Sequence, residues 1–183
     1  MKKEVLFIQG GGNGGYKTDK PLVASLQTAL GNDYIVHYPQ MLPDESIPDF
    51  APQWLNQIGK HIAAAKEGLI LAGHSVGASM LVKYFSENVV NTPIAGMFLV
   101  APPFWSGNQD WVQPLKLRDG FADKLPKDLP TFFYHCIDDE IVPFDHFTHY
   151  QHLLPWAVFR KMASGGHQFD NDLSVTATDI KNL

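Results

Sequence analysis

The chain has 183 residues, 45% of them hydrophobic and 18% charged, enough for one domain spanning 1–183 with a sizeable core. Its formal net charge of -5 comes without basic clusters, which leaves no electrostatic footprint for nucleic acid. The apolar run Val5-Leu6-Phe7-Ile8 stops at Gln9 and a glycine cluster, too early for a signal h-region or a membrane span, and the single Cys136 rules out an internal disulfide and fits a reducing, cytoplasmic setting.

Taken in order, apolar β-type runs alternate with longer helix-compatible segments. Strands are expected at Val5–Gln9, Tyr34–Tyr38, Gly68–Ala72, Gly96–Ala101, Thr131–Cys136 and Ala157–Met162, several of them apolar on both faces as a helix-covered sheet requires. Helices are expected near Lys20–Leu30, Asp49–Ala65, Val76–Ser86, Phe144–Leu153 and Asp170–Asn182. Asp49 supplies a carboxylate at one helix start and Ala63-Ala64-Ala65 a strong propensity run. Connections of this length between strands are crossovers, so the predicted fold is α/β: a three-layer sandwich with a mostly parallel six-stranded sheet and no large cap.

The first loop, Gln9-Gly10-Gly11-Gly12-Asn13-Gly14-Gly15, carries two nucleotide-binding patterns in part. Gly10, Gly12 and Gly15 satisfy G-x-G-x-x-G, but a dinucleotide site needs an acidic residue about 20 positions on, where this chain has His37, Tyr38 and Pro39. Gly10 and Gly15 also have Walker spacing, yet Tyr16 stands at the lysine position and Lys17-Thr18 come one residue late. The same glycines suit another role, in which a backbone N–H, most naturally that of Gly11, approaches a substrate oxygen.

That role is set by Gly73-His74-Ser75-Val76-Gly77, a Gly-x-Ser-x-Gly sequence between a buried-strand run and a helical one. Small residues two positions either side of Ser75 are what a nucleophile elbow needs, because the serine sits on a tight strand-to-helix turn. The helix that follows aims its first amides at the same point, so Val76 N–H joins Gly11 N–H as a candidate oxyanion hole.

The segment from Ala101 to Pro130 is irregular, with one short helix expected around Gln109–Leu117, too short for a cap. Phe104, Trp105 and Trp111 are candidate pocket walls beside Ser75; the alternative is that the tryptophans pin the loop to the core. After strand Thr131–Cys136 comes Asp138-Asp139-Glu140-Ile141-Val142-Pro143, and after Ala157–Met162 comes Ser164-Gly165-Gly166-His167. Both stand at carboxyl ends of strands, where catalytic groups collect in open α/β sheets. The order serine, acid, histidine is that of α/β-hydrolases and differs from the chymotrypsin and subtilisin orders.

These motifs resemble those of compact α/β-hydrolases, in particular the small serine hydrolases of retinoblastoma-binding-protein type, over essentially the whole chain. The resemblance implies Ser75 as nucleophile, His167 as base and Asp139 as the acid, four residues before Pro143. The first loop departs from the pattern, with Gln9-Gly10 where many relatives have His-Gly. The chemistry expected is hydrolysis of carboxylic esters or small amides, with a small-molecule substrate and no metal or organic cofactor. His146, His149 and His152 share a helix face without completing a ligand set and are expected to be a solvated face. A binding protein on the same fold with a vestigial triad is the alternative.

Overall fold

The computed structural model describes residues 2–12, 14–43, 50–107, 109–110 and 112–183. Six strands, β1 (Lys3–Ile8), β2 (Tyr34–His37), β3 (Leu69–His74), β4 (Ile94–Val100), β5 (Thr131–Cys136) and β6 (Val158–Met162), form one parallel sheet in the order β2-β1-β3-β4-β5-β6. The helices are α1 (Gly15–Thr18), α2 (Lys20–Leu30), α3 (Phe50–Ala64), α4 (Ser75–Glu87), α5 (Phe121–Lys124), α6 (Asp145–Leu153) and α7 (Ser174–Lys181).

Strand periodicity divides the interior in two. Val5, Phe7, Ile70, Ala72, Phe98, Val100, Tyr134 and Cys136 face the layer of α2 and α7, where Leu22, Leu26, Ala177 and Ile180 meet them. Their neighbours Leu6, Ile8, Leu71, Leu99 and Phe133 face α3, α4 and α6. Alternate residues of a strand point to opposite faces, so strands apolar throughout need cover on both sides. Helix α3 shows the matching helical period, burying Phe50, Trp54, Ile58 and Ile62 at intervals of four. Each such side chain contributes about 1.5–3 kcal/mol on burial, and together they fix the sheet as a rigid platform.

The strand order places the site. From β1 the chain turns one way to β2 and then crosses back to β3, so the loops leaving β1 and β3 part at the centre of the sheet. This is the topological switch point, the usual place for a ligand crevice in an open α/β sheet. The first glycine loop and the Ser75 turn both emerge there.

Three expectations about the elements need correction, and one helix start falls outside the described residues. The last helix begins at Ser174 rather than Asp170, because Phe169, Asp170 and Asn171 take φ of 53°, 49° and 56° and form a left-handed turn. Between Ala101 and Pro130 the helix among the described residues is Phe121–Lys124; the expected one at Gln109–Leu117 is instead a set of turns, with Leu115 N–H and Lys116 N–H both donating to Val112 O. The histidines of α6 do not form a uniformly solvated face: His149 and His152 are exposed, but His146 is half-buried and its Nδ1 accepts the Phe104 N–H at 2.8 Å. Asp49 and the helix start argued from it lie outside the described residues. No described helix is long and apolar enough to cross a membrane.

Candidate active site

Ser75 opens α4 with φ 50°, a left-handed conformation that costs an L-residue about 1–2 kcal/mol and is held here by packing on both sides. A Cβ on Gly73 would lie 2.9 Å from the Ala78 amide nitrogen, and one on Gly77 would overlap the carbonyl oxygen of Gln9. Both glycines are therefore demanded by backbone against backbone, as the elbow requires. Val76 N–H belongs to the first turn of α4, where amides have no intrahelical acceptor.

The acidic turn and the histidine loop are laced together residue by residue. Asp138 takes the Gly165 and Gly166 amides at 3.3 and 3.0 Å. His167 Nδ1–H donates to Asp139, 2.9 Å from Oδ2 and 3.1 Å from Oδ1. Glu140 Oε2 accepts the His167 backbone N–H at 3.0 Å. Gly166, at φ 59°, leaves the room this needs, since a Cβ there would stand 2.9 Å from the same Glu140 oxygen.

The Asp139 carboxylate is fully enclosed. Its Oδ1 accepts the Ile141 and Val142 amides at 2.9 and 2.8 Å, and His135 Nε2, which donates to Val142 O at 2.9 Å, also lies 3.3 Å from Oδ2. Burial pushes the Asp139 pKa up. The hydrogen bonds from His135, His167 and the Val142 amide more than offset this and hold it well below the usual carboxylate range. Cys136, just before the turn, has its thiol pushed up to about 12 by burial and by the carboxylates of Asp138 and Asp139, so it is an inert buried thiol.

His167 is buried, and its ring centroid is 4.7 Å from that of His74, the residue before Ser75. Ser75 Oγ makes no hydrogen bond among the described residues. The structure thus joins Asp139 to His167 and brings His167 beside the serine turn, while the serine-histidine hydrogen bond is not formed. Such contacts are often open without substrate.

In the first loop Gln9 is buried and its Oε1 accepts the Met41 amide at 2.9 Å, which anchors the chain after β2. Gly10 N–H is engaged by Asp19 Oδ2 at 2.6 Å, whereas the Gly11 amide donates to nothing among the described residues. Of the candidate pocket residues, Phe104 and Trp105 are half-buried against the core; Phe104 packs edge-on to Tyr150, and Trp105 Nε1–H donates at 3.1 Å to Ser79 Oγ, one helical turn beyond Ser75. Trp111 lies outside the described residues. No group of three or more His, Cys, Asp or Glu is set to hold a metal ion among the described residues.

Sequence reasoning missed the supporting groups. Asp19, His74, His135 and Glu140 all contact the loops of the site; His74 and His135 stand out as polar side chains in apolar strands, whereas Asp19 and Glu140 lie in polar runs that do not single them out.

A parallel sheet with a left-handed serine at the switch point, and an Asp-His pair at the same edge, defines an α/β-hydrolase. The chain belongs to the Serine hydrolase family, whose profile matches residues 23–172. No curated protein is a significant sequence match. Among solved structures it is similar to the ydeN gene product of B. subtilis, with TM-score 0.72 and 16% identity over 99% of this chain and 98% of that one. It is also similar to Arabidopsis thaliana SOBER1, with TM-score 0.69 and 15% identity over 100% and 99% of the two chains. A third is Est1E from Butyrivibrio proteoclasticus, with TM-score 0.69 and 16% identity over 99% and 86%. At these identities the likeness shows the fold.

Proposed function

We propose that this protein hydrolyses carboxylic esters or small amides through an acyl-enzyme on Ser75, with His167 as base and Asp139 as the acid. The observation that carries this reading is the enclosed Asp139-His167 pair at the sheet edge where the left-handed Ser75 emerges.

Ser75 Oγ adds to the acyl carbon as His167 Nε2 takes its proton. The carbonyl oxygen gains the negative charge and accepts from Gly11 N–H and Val76 N–H. Collapse of the tetrahedral adduct expels the alcohol or amine, which leaves with the proton from His167. Water repeats the sequence on the acyl-enzyme and frees the acid. Asp139, kept ionised by its donors, holds the Nδ1–H tautomer and stabilises the charged ring. Phe104 and Trp105 wall the acyl side.

The test is labelling with a fluorophosphonate, which phosphonylates an activated serine. Wild-type protein should label and Ser75→Ala should not. Folded wild-type protein that stays unlabelled would favour a binding protein with a vestigial site.

A further inference from the structure

Behind the nucleophile lies a second acid-imidazole pair. Asp19, at the junction of α1 and α2, and His74, the last residue of β3, are each 1% exposed, and His74 Nδ1 stands 3.0 Å from both Asp19 oxygens. The Asp19 carboxylate also accepts the Gly10 amide at 2.6 Å and the Gln168 side-chain amide at 3.3 Å. Contacts from three separate segments thus converge on this carboxylate and its negative charge. Burial opposes that charge, but the His74 and Gly10 contacts outweigh it and hold the Asp19 pKa below its ordinary value.

The other ring nitrogen of His74 reaches a second loop. His74 Nε2 is 3.0 Å from the backbone carbonyl oxygen of His167, a group with lone pairs only. His74 thus stands between the Asp19 carboxyl on Nδ1 and a carbonyl oxygen on Nε2, and a ring that donates to both carries both protons. The titratable groups around the pair are the His167 ring and Tyr38, whose phenol is pushed up by burial and by the Asp19 charge.

We infer that Asp19 and His74 form a positioning ion pair for the proposed hydrolysis, binding the loop that carries the Gly11 amide to the loop that carries His167, across the nucleophile. The inference rests on the hydrolase reading above. Asp19 grips the peptide N–H immediately before Gly11. His74, covalently joined to Ser75, grips the carbonyl of His167. Packing leaves no slack between them: a Cβ on Gly10 would lie 2.9 Å from His74 Nδ1 and 3.1 Å from Asp19 Oδ2. Loops after β1, β3 and β6 are thus tied by one chain of charged hydrogen bonds, the kind that is shorter and stronger than neutral ones. The oxyanion donor and the base act on the transition state, so loosening them lowers kcat and leaves KM in place.

Two measurements test this. Imidazole 15N–1H NMR of the wild-type protein near neutral pH should show both His74 nitrogens protonated, and Asp19→Asn should return the ring to a neutral tautomer. With p-nitrophenyl acetate, Asp19→Asn should lower kcat on the order of 100-fold, the scale of one lost oxyanion donor, with KM changed less than about twofold. If Asp19→Asn does not fold, His74→Gln, which keeps one N–H for the His167 carbonyl without the charge, carries the kinetic arm with the same expectation. A neutral His74 in the wild type, an unchanged kcat, or a loss confined to KM overturns the positioning role. Wild-type protein inert to both ester and fluorophosphonate overturns the hydrolase reading and this role with it, whereas an active wild type with an equally active variant overturns the role alone.

Discussion

Gly77 of α4 rests directly on the peptide of Gln9: a Cβ there would overlap the Gln9 carbonyl oxygen and stand 2.5 Å from that of Ile8. Helix α4 and the first loop therefore touch through backbone, and neither can yield as a side-chain end would. Gly77→Ala should cost about 1–3 kcal/mol of stability, the range for overpacking a close-packed site, read by urea unfolding. It should also lower ester turnover by shifting Ser75 against the first loop. An alanine variant as stable and active as wild type would contradict the contact.

Asp138 and Asp139 hold the same loop by different means, so their amide variants should separate. Asp139→Asn can stabilise the wrong His167 tautomer and should reduce kcat by about 10,000-fold. Asp138→Asn keeps one oxygen for the Gly165 and Gly166 amides; losing one such bond is worth about 1 kcal/mol, so turnover should fall less than about tenfold. Because Asp139 stays ionised well into acid, kcat/KM of the wild type should rise with pH through a single ionisation, that of the base, with no second step from the acid. A flat profile from about pH 5 to 8 would remove His167 as the base.

Stability should fall in acid, and the direction follows from the same carboxylates. Asp19 and Asp139 titrate below their ordinary value in the folded chain, while in the unfolded chain they titrate near about 3.9. The unfolded state thus binds more protons as pH drops, so the stabilisation present at neutral pH is lost from about pH 5 downward. Asp139→Asn should be less stable than wild type at neutral pH yet lose less between neutral and acid. Parallel urea midpoints across that range for the two proteins would contradict the assignment.

Acyl-chain preference should be short. Between Ala101 and Pro130 the helix among the described residues is the four-residue α5, and Phe104 and Trp105 are partly committed to the core. Each buried methylene adds about 0.8 kcal/mol, so kcat/KM with p-nitrophenyl esters should improve over a few carbons and then level off, without a jump when the substrate aggregates. A climb continuing to palmitate would mean a larger groove.

The central strands β1, β3, β4 and β5 can be read from the chain because both faces are apolar, the edge strands β2 and β6 from short β-type runs with exposed residues, and the site's reactive groups because each follows a strand with a glycine-rich or acidic signature. Element ends were less legible. Asp170-Asn171 reads as the start of a helix by composition, but Asp170 N–H bonds back to Gly165 O at 2.8 Å and the turn that follows has the opposite hand. The Gln109–Leu117 stretch has helical spacing, yet its N–H groups close isolated turns. Asp19 stands directly before a helix, yet its side chain caps nothing there and instead reaches into the site. Its partner is 55 positions away, and no local pattern encodes such a pairing.

The left-handed turn at Phe169–Asn171 gives the protein a short stretch whose natural chirality is reversed. Mirror-image amino acids favour the positive φ that L-residues avoid, and the penalty lifted is about 1–2 kcal/mol per residue. At the exposed Asp170 and Asn171, which hold φ of 49° and 56°, a semisynthetic chain carrying D-residues would be better matched to its own backbone than the ribosomal one. Phe169 is buried against the core and has no such freedom, because inverting it would point the ring the wrong way. The handedness of two consecutive residues, rather than their side chains, is therefore where this loop has stability to gain.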